Sequence, residues 1–298
     1  MGIMRTYLHL LLKEHVTFPV KGRVVTLGQQ TVLASMEDVQ SVFRLHGCPS
    51  KPLPPDFDTR SRTISSPYAD SIDGRTLFML LGADSVHVLD LSEYEGADII
   101  WDLNSPVPDD LHNQFDVVFD AGTLEHVFDL PTALASLVNM CSLGGIIILF
   151  NPSSGMVDHG FYSISPTLYY DYFRANGFGD FSCYLLEGQQ IDMKMKVYKY
   201  QRPNLEIRTS FCEGFDVAFF CRKLQEVPTI SKPVQTLFQK LYAETPEHVD
   251  SAKHRRSLIT AAKMFVRGIC PDWLFHQWVQ RRNGRGQFRT NVQYIGRF

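Results

Sequence analysis

Between Asp70 and Pro152 the chain repeats one pattern, and that repetition restricts the fold more than any other feature. A helical stretch, "SIDGRTLFMLLGA", leads into the strand "SVHVLDLS"; a short strand "ADIIWDLN" and the strand "FDVVFDAG" follow; then come the helix "LPTALASLVNMCS" and the strand "GGIIILFNP". The strands are continuous apolar runs, without the polar alternation of a half-exposed hairpin. Strands of that kind, alternating with helices, predict a parallel sheet covered on both faces.

The flanks extend the pattern. An amphipathic opening helix precedes "GRVVTLGQQTVL", an apolar strand that ends at Gly28 in a polar turn. In "SMEDVQSVFRLHG", Ser35 is placed to cap a helix, acids follow in the first turn and Gly47 stops it. The stretch 48–69 is crowded with Pro, Ser and charge and reads as a loop insertion, a common place for a lid. Beyond the regular region, "SPTLYYDYFRANGF" is helical, "FSCYLLEG" and "FDVAFFCRKL" are strand-like, and "MKMKVYKYQRPN" is a polar connection. We therefore divide the chain into a main domain, 1–230, and a basic helical C-terminal extension, 231–298, whose last stretch "RRNGRGQFRTNVQYIGRF" is expected to be irregular.

Charge separates these two parts. The net charge of -3 conceals 12 Lys and Arg against 4 Asp and Glu from Lys232 onward, a balance of +8 that leaves -11 to the remainder. No nucleic-acid partner is expected for the acidic part. The tail, in which Phe265, Ile269, Trp273, Leu274, Trp278 and Val279 are interspersed with basic residues, is read first as a helical cap folded on the main domain. An anionic membrane surface or a protein partner is the alternative use of it. The six cysteines are far apart and form no CxxC pair, as in a reduced, cytoplasmic protein. The first residues lack the features of a signal peptide, and no apolar run is long enough to span a bilayer.

Taken in order, "HVLDLS", "IIWDLNSP", "FDVVFDAGTLEHV" and "LGGIIILF" resemble the class I S-adenosylmethionine-dependent methyltransferases, most clearly from Asp70 to Pro152. The resemblance implies a Rossmann-like sheet, mostly parallel with an antiparallel last strand, with helices on both faces. It implies S-adenosylmethionine as cofactor, with Asp90 on the ribose hydroxyls and Asp102 and Leu103 near the adenine. Gly122 would permit close backbone approach, and Asp120 would orient an acceptor, close the aminoacyl end of the cofactor or only cap the turn. The chain departs from the family at its first strand, where a glycine-rich turn is reduced to Gly28, followed by Gln29 and Gln30. Either this is an altered cofactor loop, or the sheet survives as a non-catalytic scaffold for a partner.

Methyl transfer from a sulfonium is an in-line displacement, so positioning and exclusion of water dominate, and a general base helps an alcohol or phenol acceptor. Ligands of open α/β sheets sit beyond the carboxyl ends of the strands. That selects His126, and above it His159 in "NPSSGMVDHGFYSISP", with Asp120, Glu125 and Tyr162 as neighbours. O-methylation of a small-molecule or glycan acceptor follows as the expected activity. The Tyr169, Tyr170, Tyr172 and Phe173 group is read by default as packing, with one ring available to line the acceptor pocket. No metal site is expected, because the histidines do not recur at ligand spacing with carboxylates.

Overall fold

The computed structural model describes residues 2–61, 70–188, 195–202, 214–236, 238–239 and 292–298. The chain divides into two compact units. One comprises Met1–Lys199, Phe211–Lys232 and Tyr294–Phe298; the other comprises Tyr200–Ser210 and Pro233–Gln293. The expected helices of the extension, with Phe265, Ile269, Trp273, Leu274, Trp278 and Val279, lie outside the described residues.

The main sheet forms where the apolar runs were read. Its parallel strands in chain order are β2 (Gly22–Leu27), β5 (Ala83–Asp90), β6 (Ile99–Ile100), β7 (Phe115–Ala121) and β8 (Cys141–Ser154). In space they lie in the order β6-β5-β2-β7-β8. The first strand is thus central, the second and third run outward on one side, and the chain returns to lay the fourth and fifth on the other. This is the doubly wound order of Rossmann-like sheets, and it puts a topological switch point between β2 and β7. Val24 to Leu27, Val117 to Ala121 and Ile146 to Phe150 are buried at every consecutive position. Both faces of the sheet are therefore covered, as the runs predicted.

Antiparallel strands complete the sheet. β9 (Phe178–Glu187) and β11 (Phe215–Lys223) follow in chain order, and β11 inserts between β8 and β9, antiparallel to both. Two strands differ from the sequence reading. The segment read as a polar connection carries β10 (Lys196–Tyr200), paired antiparallel with β9. The segment expected to be irregular ends in β12 (Val292–Arg297), next to β10 at the sheet edge. Both sequences mix charge with aromatics: β12 is the edge strand and β10 lies between it and β9, and most positions of both stay partly exposed. Phe298 then exchanges backbone hydrogen bonds with Met195 and accepts one from the Thr6 hydroxyl.

The helices start at identifiable caps. α1 is Arg5–Glu14. In α2 (Met36–Leu45) the Ser35 side chain accepts from the Asp38 N–H, as the sequence predicts. Asp73 caps α3 (Gly74–Leu81), and Asp129 caps α4 (Leu130–Met140), with Pro131 in its first turn. Ser165 caps α5 (Pro166–Ala175), with Pro166 at its start. These oxygens satisfy N–H groups left without intrahelical partners. Three two-residue strands, β1 (Gly2–Ile3), β3 (Thr31–Val32) and β4 (Ile72–Asp73), form a small second sheet beside the turn after β2. Among the described residues no helix is long and apolar enough to cross a membrane.

Candidate functional site

The turn after β2 is the first component. Gly28 has φ +70, a conformation that disfavours a side chain, and its N–H donates to Leu89 O on β5 at 2.7 Å. A Cβ added here would lie 3.2 Å from Thr123 Oγ1 and 3.7 Å from Asp90 Oδ2. Three segments therefore converge on this glycine: the ends of β2 and β5, and the turn after β7. The Thr123 hydroxyl donates to Leu27 O at 2.7 Å and ties that turn to the end of β2 across the switch point.

The two glutamines after Gly28 point inward. Gln29 and Gln30 are almost fully buried. Gln29 Nε2 donates to Asp73 Oδ2 at 2.5 Å and Gln30 Nε2 to Leu27 O at 2.8 Å, while both side-chain carbonyl oxygens lack a hydrogen-bond partner among the described residues. The turn is held from below by α3, where the Gly74 N–H donates to Gln30 O at 2.7 Å. A Cβ on Gly74 would lie 2.6 Å from that oxygen, so this approach requires glycine.

Asp90 ends β5 half-buried; its Oδ1 accepts from the Leu91 N–H at 2.6 Å and its Oδ2 faces Gly28. Asp102 lies in an exposed turn after β6, where its Oδ1 accepts from both the backbone and the side chain of Asn104. Leu103 beside it is buried. Asp102 and Leu103 thus follow the strand paired with β5, but neither joins the convergence on Gly28 described above.

At the end of β7 the polar cluster separates into two layers. Asp120 is fully buried. It accepts from the Thr123 and Leu124 N–H groups and from Asn151 Nδ2, the last at 2.6 Å, and so holds the turn in which Gly122 takes φ +97. Burial and the neighbouring Glu125 charge raise its pKa to about 7, against those three hydrogen bonds. Glu125 is buried too, and burial likewise pushes its carboxyl upward. Asn151, near the end of β8, joins the two acids: its single Nδ2 also donates to Glu125 Oε2 at 3.0 Å, and its Oδ1 accepts from the Tyr169 hydroxyl at 2.5 Å.

The outer layer is the histidines. His126 follows Glu125 in a short helical turn and is exposed. Burial of part of the ring, then the proximity of His159, lowers its pKa. His159 comes from the loop after β8, and that loop is fastened to Glu125 itself. The Phe161 and Tyr162 N–H groups donate to Glu125 O at 2.8 and 3.2 Å, and a Cβ on Gly160 would lie 2.8 Å from the same oxygen. The fastening brings the two imidazoles to 5.0 Å between centroids and His159 Nε2 to 3.6 Å from Glu125 Oε1. One potential ligand atom each from Glu125, His126 and His159 lies within 4.8 Å of the others. The histidines have no ligand spacing in sequence because α4 and β8 separate them, 33 positions apart, and the loop after β8 brings His159 back beside His126 and Glu125.

Phe128 and Phe161 form an exposed edge-to-face pair at 5.5 Å beside the histidines, and the Tyr162 hydroxyl donates to Phe128 O. Sequence reasoning did not single out Asn151 and treated Tyr169 as packing. The available signal was one amide at the end of the apolar run "IIILFN", where the rest of the strand buries only hydrocarbon.

No family model matches the chain, and no curated protein does. Among solved structures, the fold is similar to a SAM-dependent methyltransferase from Archaeoglobus fulgidus, at 11% identity and a TM-score of 0.38, over 74% of this chain and 94% of that one. The YcgJ protein from Bacillus subtilis gives 11% and 0.37, over 74% and 98%. A Burkholderia thailandensis 1,6-didemethyltoxoflavin-N1-methyltransferase, with 1,6-didemethyltoxoflavin and S-adenosylhomocysteine bound, gives 14% and 0.35, over 74% and 78%.

Proposed function

We propose that the protein is an S-adenosylmethionine-dependent methyltransferase acting on a small-molecule acceptor, with a hydroxyl as the group methylated. The observation that carries this reading is the convergence of Gly28, Asp90 and Thr123 at the switch point, where a doubly wound sheet binds its ligand. The residues fit the cofactor. The missing Cβ at Gly28 leaves a cradle in which a ligand can approach the backbone, and Asp90 Oδ2 faces that cradle as an acceptor for a vicinal diol. Asp102 and Leu103 are assigned to the adenine end, and Gly122 and Asp120 to the shape of the wall between cofactor and acceptor.

The cofactor supplies an activated methyl group. The chain's own residues then hold the acceptor in line, exclude water and receive a proton. His126 and His159 stand together on the exposed side of the wall, and the lowered pKa of His126 keeps its ring neutral and able to accept a proton near neutral pH. Phe128 and Phe161 offer apolar faces for the acceptor beside them. A glycan acceptor remains the second substrate class.

One observation favours the scaffold reading: Gln29 and Gln30 are buried and tied to protein groups where a glycine-rich turn would stay open. Calorimetry of S-adenosylmethionine with the full chain separates the two. Saturable binding that weakens by at least about tenfold in Asp90→Ala supports the enzyme, that being about 1.4 kcal/mol and of the order expected for a hydrogen bond to a charged group. Absence of binding to the folded wild-type chain overturns it.

A further inference from the structure

We infer that Glu125, His126 and His159 form a binding site for a divalent transition-metal ion, on the acceptor side of the wall. Two independent features carry this. The first is convergence: a carboxylate and two imidazoles from two separated segments present donor atoms within 4.8 Å of one another. Ligand atoms lie about 2.0–2.2 Å from zinc, which sets pairs of them roughly 3.4 Å apart around a tetrahedral ion. His159 Nε2 and Glu125 Oε1 are already at 3.6 Å. The remaining closure falls to the His126 and His159 rings, both on exposed residues.

The second feature is an unmet need. Glu125 is 1% exposed, and among the described residues its Oε1 has no hydrogen-bond donor. A buried carboxylate oxygen without a donor is costly, and a cation beside it removes the cost. The other oxygen is held by Asn151, which is itself oriented by Tyr169, so the carboxylate is presented in one direction. Hydrogen-bonded support of that kind is what orients ligands around bound metals. The Gly160 contact and the two N–H bonds to Glu125 O fix the loop bearing His159 against the same residue.

The donor set indicates the ion class. Two imidazoles and one carboxylate suit zinc, cobalt, iron or manganese better than magnesium or calcium, which prefer oxygen ligands. Three protein ligands leave coordination positions open on the histidine side. An acceptor hydroxyl bound there would lose its proton more readily, and His126 and His159 would then serve as ligands in place of bases. The metal site does not depend on the methyl-transfer reading.

The test uses the full chain, stripped with a chelator and titrated with cobalt(II) by visible absorption and with zinc(II) by calorimetry. We expect one equivalent bound per chain, and His126→Ala and His159→Ala each to weaken binding by at least about tenfold, the effect typical of altered metal sites. The double variant should lose it. Both substitutions are at exposed residues, so circular dichroism melts should match the wild type, and His112→Ala should bind as wild type. No cobalt band and no zinc heat for the wild type overturns the proposal. So does a double variant that retains both at full stoichiometry, which would identify an adventitious ion held elsewhere. S-adenosylmethionine titrated into the same preparation reports separately on methyl transfer: metal binding lost in the double variant supports the site whether or not the cofactor binds.

Discussion

Asn151→Leu tests the buried network most directly, because leucine preserves the volume of the side chain and removes all of its polarity. Three hydrogen bonds disappear: those from Nδ2 to Asp120 and Glu125, and that from the Tyr169 hydroxyl to Oδ1. Asp120, its pKa raised to about 7, is only partly ionised near neutral pH and keeps its two backbone donors, so its loss lies near the roughly 1 kcal/mol of a neutral bond, whereas Glu125 loses its side-chain donor and lies near the high end of the roughly 1.5–3 kcal/mol for a bond to a charged group. With about 0.5–1.5 kcal/mol more for the tyrosine bond, the variant should be destabilised by about 5 kcal/mol. That is a large share of the roughly 5–15 kcal/mol by which domains are stable. Tyr169→Phe alone should cost about 1 kcal/mol.

When the two substitutions are combined, Tyr169→Phe removes a hydroxyl that the leucine at position 151 had already orphaned. The second substitution should then cost nothing or return stability, a coupling of about 1–2 kcal/mol. Urea denaturation of the four proteins measures the cycle. Costs additive within about 0.5 kcal/mol, or an Asn151→Leu cost below about 1 kcal/mol, would refute the network.

Two further predictions concern other parts of the molecule. Gly160→Ala places a Cβ 2.8 Å from Glu125 O and should lift the His159 loop from its anchor, with local increase in amide exchange at Phe161 and Tyr162 but little change in global melting; unchanged exchange there contradicts the fastening. His9 Nδ1 lies 3.0 Å from His46 Nε2, and burial, then the His46 and Arg5 charges, lowers the His9 pKa from 6.5 to about 4. A histidine depressed in the folded state is stabilising above its unfolded pKa, and that contribution is lost as pH falls from 6.5 toward about 4. The melting temperature should therefore decline over this interval, and His9→Phe should flatten the decline; identical profiles for the two proteins would rule out this origin.

The sequence alone determined a sheet covered on both faces, because strands buried on both faces are apolar at successive positions, as Val24 to Leu27, Val117 to Ala121 and Ile146 to Phe150 are, and the helices between those runs made it parallel there. β11, buried from Asp216 to Cys221 but antiparallel, shows that the run alone does not set direction. The sequence also determined where helices begin, since Ser35 caps through a bond to a residue three positions away. Those are local relations, readable one segment at a time. Gly28 was legible as a special turn, but its apposition to Asp90 and Thr123 was not, because adjacency in the sheet depends on strand order. β10 and β12 escaped that reading for the complementary reason: the edge strand β12 and its neighbour β10 stay partly exposed, and such strands need not carry the apolar pattern that reveals central ones.

Only the tertiary structure decided what the cluster after β7 does. Asp120 and Glu125 both look available in sequence, yet folding buries them and commits Asp120 to the turn and to Asn151, 31 residues away. Likewise His126 and His159 become neighbours because the β8 loop is bonded back to Glu125 O. The composition of the strands specifies burial, whereas the meeting of distant polar groups depends on chain topology and on hydrogen bonds that form only once the sheet is assembled.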